Sequence, residues 1–207
     1  MQVQLSVCTR ADLDELVDML SAAFATYDPP AVAVGLTVGE FADLIDLYRD
    51  RAADGGCTVI ARADGEMVGA ILAEDSAAPF PPGLERLSPK FDPIFEILTD
   101  LEAEYRRGRS VLPGDAIHLF LLGVKHGYGG RQIAQRLVAR CLEIGVARGY
   151  PMAVTEATNN ISRRVFEKLG FVERARRSYA DYRFGSRAVF RSIVDHAGPV
   201  LLDRAIR

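Results

Sequence analysis

Cysteine is scarce in this chain: 3 among 207 residues, at Cys8, Cys57 and Cys141. The number is odd, the positions are far apart, and no two stand in C-x-x-C spacing. Neither a disulfide framework nor a zinc site is therefore expected, and no metal is called for. Basic residues do not accumulate either. Lys and Arg total 25 against 28 Asp and Glu, a net charge of −3. The densest basic cluster, Arg106, Arg107 and Arg109, falls short of the basic face a nucleic-acid binder presents, so nucleic acid is not an expected partner. No apolar run approaches the roughly 20 residues that cross a bilayer. The N-terminus has no basic region followed by an apolar stretch. These absences point to a cytoplasmic protein with reduced thiols and no membrane partner.

What remains is ordinary globular material, 49% hydrophobic and 26% charged. The length suits one sizeable core, so a single domain over 1–207 is expected. Val3, Leu5 and Val7 alternate with polar residues and open the chain as a strand. Leu13, Leu16, Val17, Leu20 and Phe24 recur at helical spacing, and Asp28-Pro29-Pro30 ends that helix. A second amphipathic helix fits 37–51, with Thr37 as cap and Glu40 at the capping-box position. Strands at 57–63 and 67–73 flank Asp64-Gly65, a strong hairpin signal. The proline-rich stretch 77–89 reads as a loop and leads to a helix over 93–106. That extra loop and helix lengthen the chain over about 77–109, before its most apolar segment.

That segment, 117–124, is Ile-His-Leu-Phe-Leu-Leu-Gly-Val, apolar on both faces as a central strand is. Gly127, Gly129 and Gly130 join it to a helix carrying Ile133, Leu137, Cys141 and Ile144. A strand at 152–156, a short helix at 159–169 closed by Gly170, and strands at 171–176 and 189–194 complete the order. The alternation predicts an α/β fold with a mixed, mostly antiparallel sheet and helices on both faces. Apolar Val200, Leu201, Leu202 and Ile206 pack either on the core or on a second subunit, which would make a homodimer.

A buried strand, a glycine-rich turn and a helix start form an anion site. Amides of the first helical turn have no internal partners, and the helix dipole favours negative charge there. The turn has neither G-x-G-x-x-G nor a Gly-Lys-Ser/Thr ending. The segment 122–137, Leu-Gly-Val-Lys-His-Gly-Tyr-Gly-Gly-Arg-Gln-Ile-Ala-Gln-Arg-Leu, resembles the coenzyme-A loop of the GNAT family of N-acetyltransferases. Val124 fits the strand end, Tyr128 the aromatic before the motif and Ala134 its final small residue. Gly129 stands where the family usually has Arg or Gln, and Gln132 where it usually has Gly. A separate segment, Asn-Asn-Ile-Ser-Arg-Arg-Val-Phe-Glu-Lys-Leu-Gly-Phe at 159–171, resembles the family's second signature.

The resemblance implies the acyl-CoA N-acyltransferase fold, acetyl-CoA as co-substrate and direct transfer of the acetyl group to a small primary amine. It places Leu122, Gly123, Val124, Gly129, Gly130, Arg131, Gln132, Ile133, Ala134, Asn159 and Phe166 at the cofactor. Phe166 stands where the family often has a tyrosine that protonates the leaving thiolate, and Ser162 lies one turn earlier on that helix face. For the base, His118 sits on the central strand, on one face with Phe120 and Leu122 if side chains alternate regularly. Its surroundings resemble vertebrate arylalkylamine N-acetyltransferases, and its imidazole titrates near neutrality. Asp28 is the rival, because Tyr-Asp-Pro-Pro resembles the acidic-residue-Pro segment of insect dopamine acetyltransferases. Glu156 is a third position, and Tyr179 and Tyr182 are further acid candidates. A protein or peptide acetyltransferase and a non-catalytic acetyl-CoA sensor are the alternatives.

Overall fold

The structure, a computed structural model, describes residues 2–108 and 110–206, so Arg109 lies outside the described residues. After β1 (Val3–Val7), four helices precede the next strand: α1 (Leu13–Tyr27), α2 (Pro29–Val34), α3 (Val38–Asp46) and α4 (Arg49–Asp54). The double proline ends α1 as expected but also begins α2. Both rings fall in its first turn, where the missing N–H has no intrahelical partner to lose. The Thr37–Glu40 capping box is present, with the Thr37 N–H donating to Glu40 at 2.8 Å. The helix expected over 37–51 is two helices, because the chain turns at Leu47 and Tyr48 between them.

β2 (Val59–Ala63) and β3 (Glu66–Asp75) form the expected hairpin. Asp64 and Gly65 both take left-handed φ, 50° and 87°, as a type I′ turn requires. α5 (Asp92–Arg106), β4 (Ala116–Val124), α6 (Ile133–Ala147), β5 (Met152–Ala157), α7 (Asn160–Lys168) and β6 (Val172–Arg176) follow. The last strand is β7 (Val200–Ala205), not 189–194, which is a turn followed by irregular chain. β7 inserts between β5 and β6, pairing antiparallel with both, and buries Val200, Leu201 and Leu202. The C-terminal apolar residues are thus spent on this sheet, and no second subunit is needed to cover them.

The seven strands make one sheet in the order β1-β2-β3-β4-β5-β7-β6, parallel only between β4 and β5. One face carries α1 and α3 over Ile60, Met67, Ala70 and Leu72, and the other carries α6 and α7 over Val68, Ile71, Ile117 and Leu119. The expected mixed sheet with helices on both faces is what the chain forms. Full burial of each such aliphatic side chain contributes roughly 1.5–3 kcal/mol, which is why alternation sets the register.

β4 departs from regular alternation. Ala70 pairs with Gly123 but Leu72 pairs with Phe120, so two residues of β4 oppose the single Ile71. Leu121 absorbs the extra residue with a φ of 48°, a conformation a leucine adopts only under constraint. Phe120 and Leu121 consequently join the α1 side, while Leu122 and Val124 pack towards α6. The expectation that His118, Phe120 and Leu122 share a face fails at Leu122 for this reason. Past the bulge, β4 and β5 separate, since their pairing runs only from Ala116↔Met152 to His118↔Val154.

Candidate active site

The splay between β4 and β5 exposes backbone groups. The Lys125 N–H donates to Val68 at 2.9 Å, and Val124 faces Gly69. Bonded and non-bonded pairs alternate along an antiparallel ladder, so Val124 turns its N–H and C=O away from β3 towards the opening. Gly123 serves a different purpose. A Cβ there would meet the Leu20 Cδ2 at 2.7 Å, so the missing side chain lets α1 lie close on β4.

Beyond the splay lies the glycine turn. Gly127 and Gly130 have φ of 86° and 75°, with open space where a Cβ would stand. Gln132 is the N-cap of α6 at φ 60°, and its side chain makes no capping bond. The family's usual glycine at this position therefore has a conformational reason, which Gln132 meets at a strain cost. The amides that open α6 are left for an external acceptor, and the helix dipole adds to their pull on an anion. Gly129, Gly130, Arg131 and Gln132 are exposed, Ala134 is half-buried, and the Ile133 side chain sits in the core, leaving only its backbone to the site. Arg131 lies over the Tyr128 ring at 5.4 Å. Lys125 is tied to Glu66, which also accepts from the Tyr128 hydroxyl.

α7 supplies the opposite wall. Asn159 is its N-cap, its side chain accepting from the N–H groups of Ile161 and Ser162 at 3.0 and 2.9 Å. The Ser162 hydroxyl donates back to the Asn159 carbonyl at 3.0 Å. Phe166 is buried against Phe171.

Between these walls a cavity of about 590 Å³ runs under β4 to α3 and α5. Asp28, His118, Glu156, Ser162, Asn159 and Phe166 all border it, as does Leu122. Gly123, Val124 and the glycine turn lie outside that lining. Asp28, His118, Glu156 and Ser162 are thus brought to one space, while the two tyrosines expected as acid candidates do not border it.

Asp28 sits where α1 ends and α2 begins. One carboxylate oxygen accepts from the Ala31 N–H at 3.3 Å and the other from the Thr158 hydroxyl at 2.5 Å. Burial raises its pKa to about 6, against the smaller opposing pull of those two hydrogen bonds. Thr158 is a residue that sequence reasoning missed. It lies 130 positions away from Asp28, and only its place just before the Asn159 cap marked it. Tyr179 is fully buried and donates to the Thr158 carbonyl at 2.7 Å, so it braces this pair. Tyr182 instead donates to Glu96.

A second pair lies deeper. The His118 Nε2 is 2.7 Å from a Glu156 carboxylate oxygen. Burial pushes the imidazole pKa down, but Glu156, backed by Glu74 and Glu102, outweighs it and holds the ring above its ordinary value. Burial pushes Glu156 up, but the charge and hydrogen bond of His118, a backbone hydrogen bond and the Arg106 charge together outweigh it and hold the carboxyl below its ordinary value. His118 stacks on Phe120, and Phe120 packs on Tyr48, both with ring centroids 5.1 Å apart.

The model of the acetyltransferase (GNAT) family matches residues 16–171. The chain belongs to that family. Among solved structures, it is similar to the C-terminal condensation domain of Ebony in complex with beta-alanyl-dopamine, with a TM-score of 0.89 at 13% identity and all of both chains covered. It is also similar to arylalkylamine N-acetyltransferase 2 from Aedes aegypti, with a TM-score of 0.80 at 19% identity and both chains fully covered. Against the polyamine N-acetyltransferase of Drosophila melanogaster the TM-score is 0.78 at 20% identity, covering 99% of this chain and 100% of that one.

Proposed function

We propose that this acetyltransferase moves an acetyl group from acetyl-CoA directly to a small primary amine, with Asp28 as the base. The observation that carries the reading is the buried Asp28–Thr158 pair, facing a cavity that begins at the β4–β5 splay. The open turn before α6 and the uncapped amides of its first turn suit the pyrophosphate of coenzyme A, and Val124 offers an N–H to the thioester region. Bound acetyl-CoA would supply an activated acyl carbon. Asp28, with a pKa about 6, accepts one proton from the ammonium group and leaves a nucleophilic amine. The C–N bond forms as the C–S bond breaks, while backbone N–H groups of β4 steady the developing oxyanion. Phe166 has no proton to give, so the departing sulfur takes the proton the new amide nitrogen sheds, with the Ser162 hydroxyl nearby as the polar contact.

His118 suits this task less. Its Nε2 is already engaged by Glu156 at 2.7 Å, and that carboxylate favours the protonated ring. We assign the His118–Glu156 pair to shaping the acceptor end instead. The aromatic lining of the cavity (Phe24, Phe41, Phe91, Phe95) favours a small aryl-alkyl amine over a peptide or an extended chain.

The test is thiol release from acetyl-CoA over aryl-alkyl amines, polyamines and peptides. Release is expected with aryl-alkyl amines, and Asp28→Ala should lower kcat/KM about a hundredfold or more. Measurable acetyl-CoA binding with no release from any acceptor would sink the proposal and leave a sensor. An unchanged rate in Asp28→Ala, with loss in His118→Ala, would move the base to His118.

A further inference from the structure

Between β3 and α5 the chain crosses one end of the cavity as a short strap. Ala77, Ala78, Pro79 and Phe80 border the cavity there, and Pro81, Pro82 and Gly83 carry the chain onward. The strap leaves the sheet at Asp75, which pairs with Ile117, one step from the Glu74↔His118 pair. Thr158, which holds Asp28, lies in the opposite direction, four residues past Val154, the β5 partner of His118. The strap thus stands at the end of the cavity remote from the proposed base.

Its backbone is firmly set. The Ala77 N–H donates to the Asp75 carboxylate at 2.8 Å, and the Ala78 N–H to the Asp75 carbonyl at 2.9 Å. The Pro79 carbonyl accepts from the Arg51 guanidinium at 2.7 Å, and Arg51 is itself paired with Glu74 at 3.3 Å. Proline fixes φ at positions 79, 81 and 82, and a residue that precedes proline is confined to extended backbone. Phe80, between Pro79 and Pro81, therefore has little backbone freedom. Its ring is the part that can turn.

That ring is 71% exposed. The other aromatic rings of the lining are buried or half-buried, Phe41, Phe91 and Phe166 almost fully. A lone exposed phenylalanine carries no message on an open surface. This one stands at the rim of an aromatic-lined cavity, on backbone too stiff to be carried away from it. An apolar ring so placed gains from leaving water once an apolar molecule fills the space beside it.

We infer that Phe80 is a gate on the cavity: its ring folds down over the part of the bound acceptor remote from the reacting nitrogen and closes that end to water. The inference rests on the acetyl-transfer reading above, which makes the occupant an amine. The chain contains no tryptophan, so Phe80→Trp places a single indole on the strap. With coenzyme A present, phenylethylamine at a concentration that saturates its calorimetric titration should shift the indole emission to the blue and protect it severalfold from acrylamide quenching. Phe80→Ala should raise KM for phenylethylamine about tenfold, the factor that burial of a phenylalanine ring supplies. KM for acetyl-CoA and the melting temperature should not change, and Phe80→Leu should recover part of the lost affinity. Calorimetric binding of the amine with no change in the indole overturns the gate and leaves the acetyl-transfer reading standing. So does an unchanged amine KM in Phe80→Ala, or a lowered melting temperature, which would make the ring a piece of the fold. No binding of the amine at all overturns the acceptor assignment, and the gate with it.

Discussion

At neutral pH the Asp28 carboxylate is ionised inside a cavity wall, and among the described residues the Ala31 N–H and the Thr158 hydroxyl hold its charge. Its pKa rises from the ordinary 3.8 to about 6, so the folded chain binds this proton more tightly than the unfolded one. The stabilising contribution of the group is therefore complete below pH 3.8 and is lost as pH rises through about 6. The same raised pKa suits a base working near neutrality. Asp28→Asn keeps the size of the side chain and an acceptor for Ala31, and it removes the buried charge. We expect a higher melting temperature than the unchanged protein at pH 8, a difference that shrinks towards pH 5, and a fall in kcat/KM of about a hundredfold or more. Calorimetric melts across that range decide it, and a variant less stable at pH 8 would mean that the charge is held by contacts other than these two. Little of this was legible beforehand. Asp28 could be singled out by the prolines after it, but its partner Thr158 is brought in only by the fold.

At the scale of the element, what could be read from the sequence was what local chemistry dictates. Asp64-Gly65 made its hairpin, Thr37 and Glu40 made their capping box, and the apolar run made the central strand. What could not be read was tertiary in origin. Leu121 takes a left-handed conformation without any glycine to announce it, because strand pairing on either side leaves one residue too many. The Leu47–Tyr48 break likewise carries no proline or glycine. Gly123 shows how such elements are joined. Its missing Cβ admits Leu20 of α1. Gly123→Ala should push α1 off β4, costing about 1–3 kcal/mol in denaturant melts, and shift Asp28 at the end of α1. The loss of kcat/KM should exceed what partial unfolding explains, and Leu20→Ala in the same chain should recover part of it by making room. A Gly123→Ala protein with unchanged stability and rate would show that α1 yields freely and does not position Asp28.

Across the whole molecule, the last strand decides whether the second half of the sheet exists. β5 and β6 do not pair with each other, and each pairs with β7. β7 also carries buried Asp203, whose carboxylate accepts from Arg174 at 2.7 Å and from the Tyr105 hydroxyl of α5 at 2.9 Å. The neighbouring Arg204 donates to the Leu169 carbonyl at the end of α7 at 2.5 Å. A chain stopped after Gly198 would leave β5 with an open edge and β6 without a strand partner, and would remove the Asp203 carboxylate that Arg174 and Tyr105 bond. Unpaired strand backbone and uncovered Leu and Val surface together exceed the few kcal/mol by which domains are stable. We therefore expect the truncated chain to melt without a cooperative transition and to lose acetyl transfer, although α1, α6, α7 and every residue assigned to the chemistry are still present. A synthetic peptide spanning 199–207 should restore part of both signals, because β7 enters as one continuous strand with a gap already shaped for it. Cooperative melting of the truncated chain without the peptide would show that β5 and β6 close on each other and that the seven-strand order is not what holds the site.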